Sequence, residues 1–197
     1  MKKSILVALM FIVPFASSSA QGFLQCEFGI SKPAGDLATY SFENAILKGA
    51  GCATTGFNIG AKFYNPLKTK NLSMVYSLNL YQNPISKDFK DQYKQANPDR
   101  SVSFPRYVNV PLMAGINYTL PIGKDLSIYA EGLIGFNMFK ISKLEGSENF
   151  YSIVTTFRPR FNPCCAFSAG AVVKDRYTIF LTYDGLTSYR PKYHTEA

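Results

Sequence analysis

Between Tyr107 and Leu120 the side chains alternate with a period of two. Val108, Val110, Leu112, Ala114, Ile116, Tyr118 and Leu120 fall on one parity, and Tyr107, Asn109, Pro111, Met113, Gly115, Asn117 and Thr119 on the other. Only an extended strand puts successive side chains on opposite faces, so this spacing predicts a strand with one greasy face and one small or polar face. The pattern recurs. Phe57, Ile59, Ala61 and Phe63 alternate with Gly56, Asn58, Gly60, Lys62 and Tyr64; Leu72, Met74, Tyr76, Leu78 and Leu80 alternate with Ser73, Val75, Ser77, Asn79 and Tyr81. Leu126–Met138 and Tyr177–Asp184 repeat it, and Leu24–Ser31 and Cys165–Val173 are shorter candidates. These segments predict an all-β chain of antiparallel up-and-down strands.

The connections alternate as well. Asn65–Lys70, Pro121–Asp125 and Lys174–Arg176 are short, whereas Lys32–Ala53, Pro84–Pro105 and Lys143–Pro163 are long. Short turns on one side and long loops on the other are the pattern of an outer-membrane barrel with its amino terminus in the periplasm. Asp88–Ala96 suits a helical turn or two within its loop. A soluble barrel of lipocalin-like or avidin-like build also alternates, but it keeps its apolar face inside and sets many Lys and Glu outside. Here the second face carries Gly, Asn, Ser and Thr with isolated charges, which suits a narrow self-filled interior and an apolar exterior facing lipid. The expected fold is therefore a transmembrane β-barrel of about eight strands over residues 21–197, the alternative being a soluble periplasmic or secreted ligand-binding barrel. Phe63, Tyr64, Tyr107, Tyr118 and Tyr177 lie near strand ends, where interfacial aromatic girdles are expected.

The amino terminus fits export. Met1-Lys2-Lys3 is positive, Ile5–Phe15 is an unbroken apolar run, and Ser17-Ser18-Ser19-Ala20 offers small residues for cleavage after Ala20. The run is shorter than the roughly 20 residues a spanning helix needs. Cys26 follows Phe23-Leu24-Gln25 rather than small residues, unlike a lipid-anchor cysteine. The formal charge of +8 falls to +6 without Lys2 and Lys3. The remaining cations, such as Lys68, Lys70, Lys87, Lys90, Lys94, Arg100, Lys124, Lys174 and Arg176, are scattered through connections, so a nucleic-acid partner is not expected. An exported chain permits disulfides; of Cys26, Cys52, Cys164 and Cys165, some free thiols and one bridge are expected. There is no CxxC and no Cys/His metal spacing.

Catalysis is not expected. The lone His194 stands near the carboxyl end, and no Ser or Asp is placed to use it as a proton shuttle. No cofactor motif or metal-ligand cluster occurs. Glu27, Lys62, Glu131 and Asp184 are the candidate lumen charges. Unpaired buried charge is costly, so each needs a partner, and Lys62 and Glu131 are expected to meet across the lumen.

The chain resembles the small outer-membrane β-barrel family, the PorT-like and outer-membrane-protein-A-like barrels of about eight strands. The likeness rests on Gly56-Phe-Asn-Ile-Gly-Ala-Lys-Phe-Tyr64, Val110-Pro-Leu-Met-Ala-Gly-Ile-Asn-Tyr118, Tyr129-Ala-Glu-Gly-Leu-Ile-Gly-Phe136 and Phe167-Ser-Ala-Gly-Ala-Val-Val173, extended by Tyr177–Gly185. It implies an outer-membrane location, in contact with lipid, and often no assigned activity; a non-enzymatic monomer of porin-like family is expected. The implied role is structural or adhesion-type, or that of a secretion accessory, with an extracellular or secretion-machinery protein as partner. The family has an even strand number, whereas seven segments are well supported here. Either Asn149–Arg158 is a separate strand, the last strand is irregular, or the sequence is truncated.

Overall fold

The computed structural model describes residues 22–40, 51–148, 151–174, 176–186 and 193–196. The export segment, residues 1–20, lies outside them. Each of the seven alternating segments is a strand: β1 (Phe23–Ser31), β2 (Gly56–Pro66), β3 (Leu72–Pro84), β5 (Arg106–Pro121), β6 (Leu126–Ile141), β9 (Arg160–Val173) and β10 (Tyr177–Leu186). They form one antiparallel sheet in the order β1-β2-β3-β5-β6-β9-β10, curled into a half-barrel. Among the described residues no helix is long and apolar enough to cross a membrane.

Register follows the sequence parity. Asn58 pairs with Gly29 and Asn79 with Gly60, so inward amides stand beside inward glycines. The fit is close: a Cβ on Gly60 would overlap Asn79 Oδ1. Gly135 is less forgiving, since its Cβ would run into backbone, the Leu112 carbonyl oxygen and Met113 Cα on β5. Only a residue without a side chain lets two strands approach in this way on the concave side of a strongly curved sheet. On the inner face Tyr64, Val75, Met113, Leu133, Cys164 and Ala166 form a small apolar cluster.

The long connections gather at one end of the sheet and build a second core. They carry a 3-10 turn at Gly35–Leu37, helix α1 (Lys87–Ala96), and strands β4 (Arg100–Ser103), β7 (Leu144–Glu148) and β8 (Tyr151–Phe157). With β11 (Tyr193–Glu196) these strands form a four-stranded sheet in the order β11-β8-β7-β4. Asn149–Arg158 thus contains a strand, but one of the loop sheet, and the carboxyl-terminal stretch that reads poorly as a strand pairs with β8. Helix α1 begins where Ser86 Oγ accepts the Phe89 N–H at 3.2 Å, an N-cap that satisfies an otherwise unbonded donor. Phe89 then turns inward to join Cys52, Ile85, Tyr107, Phe139, Ile141 and Phe157. Burying each large apolar side chain contributes about 1.5–3 kcal/mol, so the loops make a packed cap over one mouth of the half-barrel. Tyr107 Oη, donating to the Gly51 carbonyl at 2.6 Å, ties β5 to this cap.

Candidate functional site: the charged lumen

Lys62 projects from the middle of β2 into the concave side and is 2 % exposed. Its Nζ lies 3.0 Å from Glu27 Oε1 on β1 and 2.8 Å from Glu131 Oε1 on β6. Strands β3 and β5 separate β2 from β6, so the second contact crosses the interior. Tyr64 Oη donates to Glu131 Oε2 at 3.2 Å, and Gln25 Nε2 donates to Glu27 Oε1 at 3.0 Å. The Phe180 ring of β10 sits 5.2 Å from Lys62 Nζ, within cation–π range. Two carboxylates, an ammonium, a phenol, an amide and an aromatic face thus share one buried site. Such a cluster is stable only while its members are all present, because removing one leaves another charge buried and unpaired.

On the loop side of this cluster the interior opens into a cavity of about 710 Å³. Its wall is rich in asparagine: Asn58, Asn79, Asn83, Asn109, Asn137 and Asn162. Several are tied to one another or to backbone. Asn137 Nδ2 donates to Asn109 Oδ1 at 2.8 Å, and Asn83 Nδ2 donates to the Ser31 and Thr54 carbonyls at 3.1 and 3.2 Å. Asp184 is half-buried on β10 and takes a hydrogen bond from Tyr81. On the turn side of the cluster Tyr64, Asn117, Tyr129 and Glu131 are buried, and none of them lines this cavity. Among the described residues, no three His, Cys, Asp or Glu side chains converge as a metal-ligand set.

No family model, characterised protein or solved structure matches this chain.

Of the four lumen residues singled out from sequence, Glu27, Lys62 and Glu131 meet in one cluster, and Asp184 borders the cavity apart from them. Tyr64, Tyr81 and Phe180 were not singled out as lumen partners. Tyr64 and Tyr81 carry the same parity as Lys62 and Asn79, which is the signal that places them. Two girdle assignments are corrected for that reason: Tyr64 and Tyr107 are 3 % and 0 % exposed and point inward, each held by its hydroxyl hydrogen bond. Tyr118 and Tyr177 do point outward. The expected disulfide is also corrected among three of the cysteines. Cys26, Cys164 and Cys165 are free thiols, because Cys164 faces inward while Cys26 lies on the outer parity of its strand, and strand neighbours such as Cys164 and Cys165 point to opposite faces. Cys52 is buried in the loop core. His194 lies on β11, in register with Thr156.

Proposed function

We propose that this chain is a non-enzymatic outer-membrane β-barrel of about eight strands, exported with cleavage after Ala20. Its loop cap faces outward to meet other proteins, in a structural or adhesion-type role or as an accessory of secretion. One observation carries the reading, the inversion of the two faces. Phe28, Ile30, Phe136, Phe161, Ile179 and Leu181 are each more than two-thirds exposed, while Glu27, Lys62 and Glu131 are almost wholly buried. A barrel made for water has the opposite arrangement, and an apolar surface of this extent in water invites association. In lipid it is the stable one, since the outer band needs no water and the backbone polar groups are met within the sheet.

The interior supports a fixed barrel rather than a porin. The Lys62 cluster occupies the middle of the interior, as expected of narrow barrels, which are filled by their own side chains. The same cavity is what a soluble ligand-binding barrel would use, so location decides between the two readings. The protein is expected to pellet with outer membranes, to resist carbonate extraction and to migrate faster on gels when unheated. Recovery from the periplasm without detergent would overturn the proposal.

A further inference from the structure

We propose that the free edges of β1 and β10 form a slot for one extended strand of a partner protein, running antiparallel to both. The inference rests on the membrane-barrel reading above. Every pairing in the seven-stranded sheet is antiparallel, so its first and last strands run in the same direction. Two edges of equal direction each accept the same antiparallel strand, and one added strand gives the even number of a bacterial barrel. Among the described residues no backbone pairing joins β1 to β10. The edges are nonetheless held near each other: Thr178 Oγ1 donates to Gln25 Oε1 at 3.5 Å, and Phe180 covers Lys62.

The cavity wall locates the gap. On β3 only the inward residues Asn79, Tyr81 and Asn83 line it, whereas on the edges consecutive residues do, Glu27–Ser31 and Thr178–Gly185. Outward and inward side chains of one strand can border the same space only where that space passes beside the strand's unpaired edge. Outward side chains at the seam are also the barest. Phe28, Ile30, Ile179 and Leu181 are 76–86 % exposed, against 54 % and 52 % for Leu112 and Ile116 on β5 and 74 % for the barest mid-sheet residue, Ile134 on β6. Each lacks the neighbour that a strand in the slot would supply. In hydrocarbon an unpaired edge also leaves backbone N–H and C=O groups unsatisfied, which bilayers do not tolerate.

The occupant is a partner's strand rather than a segment of these 197 residues. Tyr193–Glu196 is engaged by β8, and residues 187–192 are six against the nine of β1, with Pro191 among them. Tyr40 and Gly51, the described residues that flank positions 41–50, both lie on the loop side. Ile5–Phe15 lacks a polar parity and belongs to the expected export signal. A second copy would place its β1 parallel to β10, and a joint barrel would have to open the curl that Lys62, Tyr64 and Glu131 hold across the interior. The fitting strand is about nine residues long, with apolar side chains outward beside Phe28 and Leu181. Inward it carries small uncharged ones, beside Gly29, Ser31, Thr178 and Thr182.

The test uses the full mature chain in lipid nanodiscs and a nine-residue synthetic peptide alternating Val and Ser, with a central photo-cross-linker. Edge amides of β1 and β10 should exchange slowly only with peptide present, by on the order of tenfold, while β5 is unchanged. Cross-links should fall on both edges. A peptide with Pro at two central positions should lose the effect, as should Gln25→Cys/Thr178→Cys protein with its seam oxidised, the native cysteines being replaced by Ser. Edges already protected without peptide, protection that rises only with protein concentration, or cross-links away from the seam would overturn the slot. The two readings fail separately. Membrane-inserted protein with protected edges keeps the barrel and loses the slot, whereas a soluble species that takes up the peptide at both edges keeps the slot and loses the membrane.

Discussion

Lys62 is almost wholly buried, and its position is stable only because Glu27 and Glu131 approach it from two sides. Buried ion pairs seldom out-compete apolar packing, yet breaking one by removing a partner costs about 3–5 kcal/mol. Lys62→Met is therefore expected to destabilise the protein by about that amount, since two carboxylates then face each other in a dry interior. Replacing Glu27 and Glu131 by Gln in the same chain should recover much of the loss, because the charge left behind is gone. Urea titrations of the single and triple variants in lipid check this; a Lys62→Met protein as stable as the parent would remove the cluster from the account. The sequence already puts all three charges on the polar parity of their strands. That Glu131 reaches Lys62 while Asp184 does not depends on how the strands stagger around the curl, which parity leaves open.

At the scale of the element, strand identity is written in the alternation and strand closeness in the glycines. β6 holds two informative ones. A Cβ on Gly132 meets only the Phe167 ring, at 3.8 Å, whereas one on Gly135 meets the backbone of β5. Gly135→Ala should thus cost about 1–3 kcal/mol through forced displacement of a neighbouring strand. Gly132→Ala should be neutral or slightly stabilising, since it mainly restricts the unfolded chain. Thermal unfolding followed by gel mobility separates them, and equal losses would contradict the packing described. Helix α1 was foreshadowed by Asp88–Ala96, and its start at Lys87 follows from the Ser86 cap. The strands of the loop sheet carry no such mark. β4, β7 and β8 are short and irregular in pattern, and they exist because they pair with one another over the Phe89 core.

For the whole molecule, the deciding quantity is which face meets the solvent. Leu112 is half-exposed and Asn109, three residues away on the opposite parity, is buried, so a charge at Leu112 enters lipid if the membrane reading holds. Leu112→Arg is then expected to cost about 2–4 kcal/mol near the bilayer midplane. In a water-soluble protein the same exposed substitution would stay within about 0.5 kcal/mol. Urea unfolding of parent and variant measures the difference, and a neutral result would argue for water on the outer face. The seam between β1 and β10 belongs to this scale too, since an odd count of antiparallel strands is a property of the sheet and of no single strand.

The sequence by itself determined the seven strands, their order along the chain, the side to which the long loops go, and the face on which each side chain lies. All of these follow from a period of two and from turn residues, which are local. The tertiary structure decided what parity cannot express. Parity already puts Tyr64 and Tyr107 on the inner face, and the tertiary structure supplies the distant hydroxyl partners, Glu131 and the Gly51 carbonyl, that make them interior anchors. The loops form a packed cap because apolar residues from separate connections meet only when the sheet brings their ends together. Among the described residues the half-barrel ends in two unpaired edges of equal direction, because Tyr193–Glu196 finds its hydrogen bonds on β8 instead of beside β10.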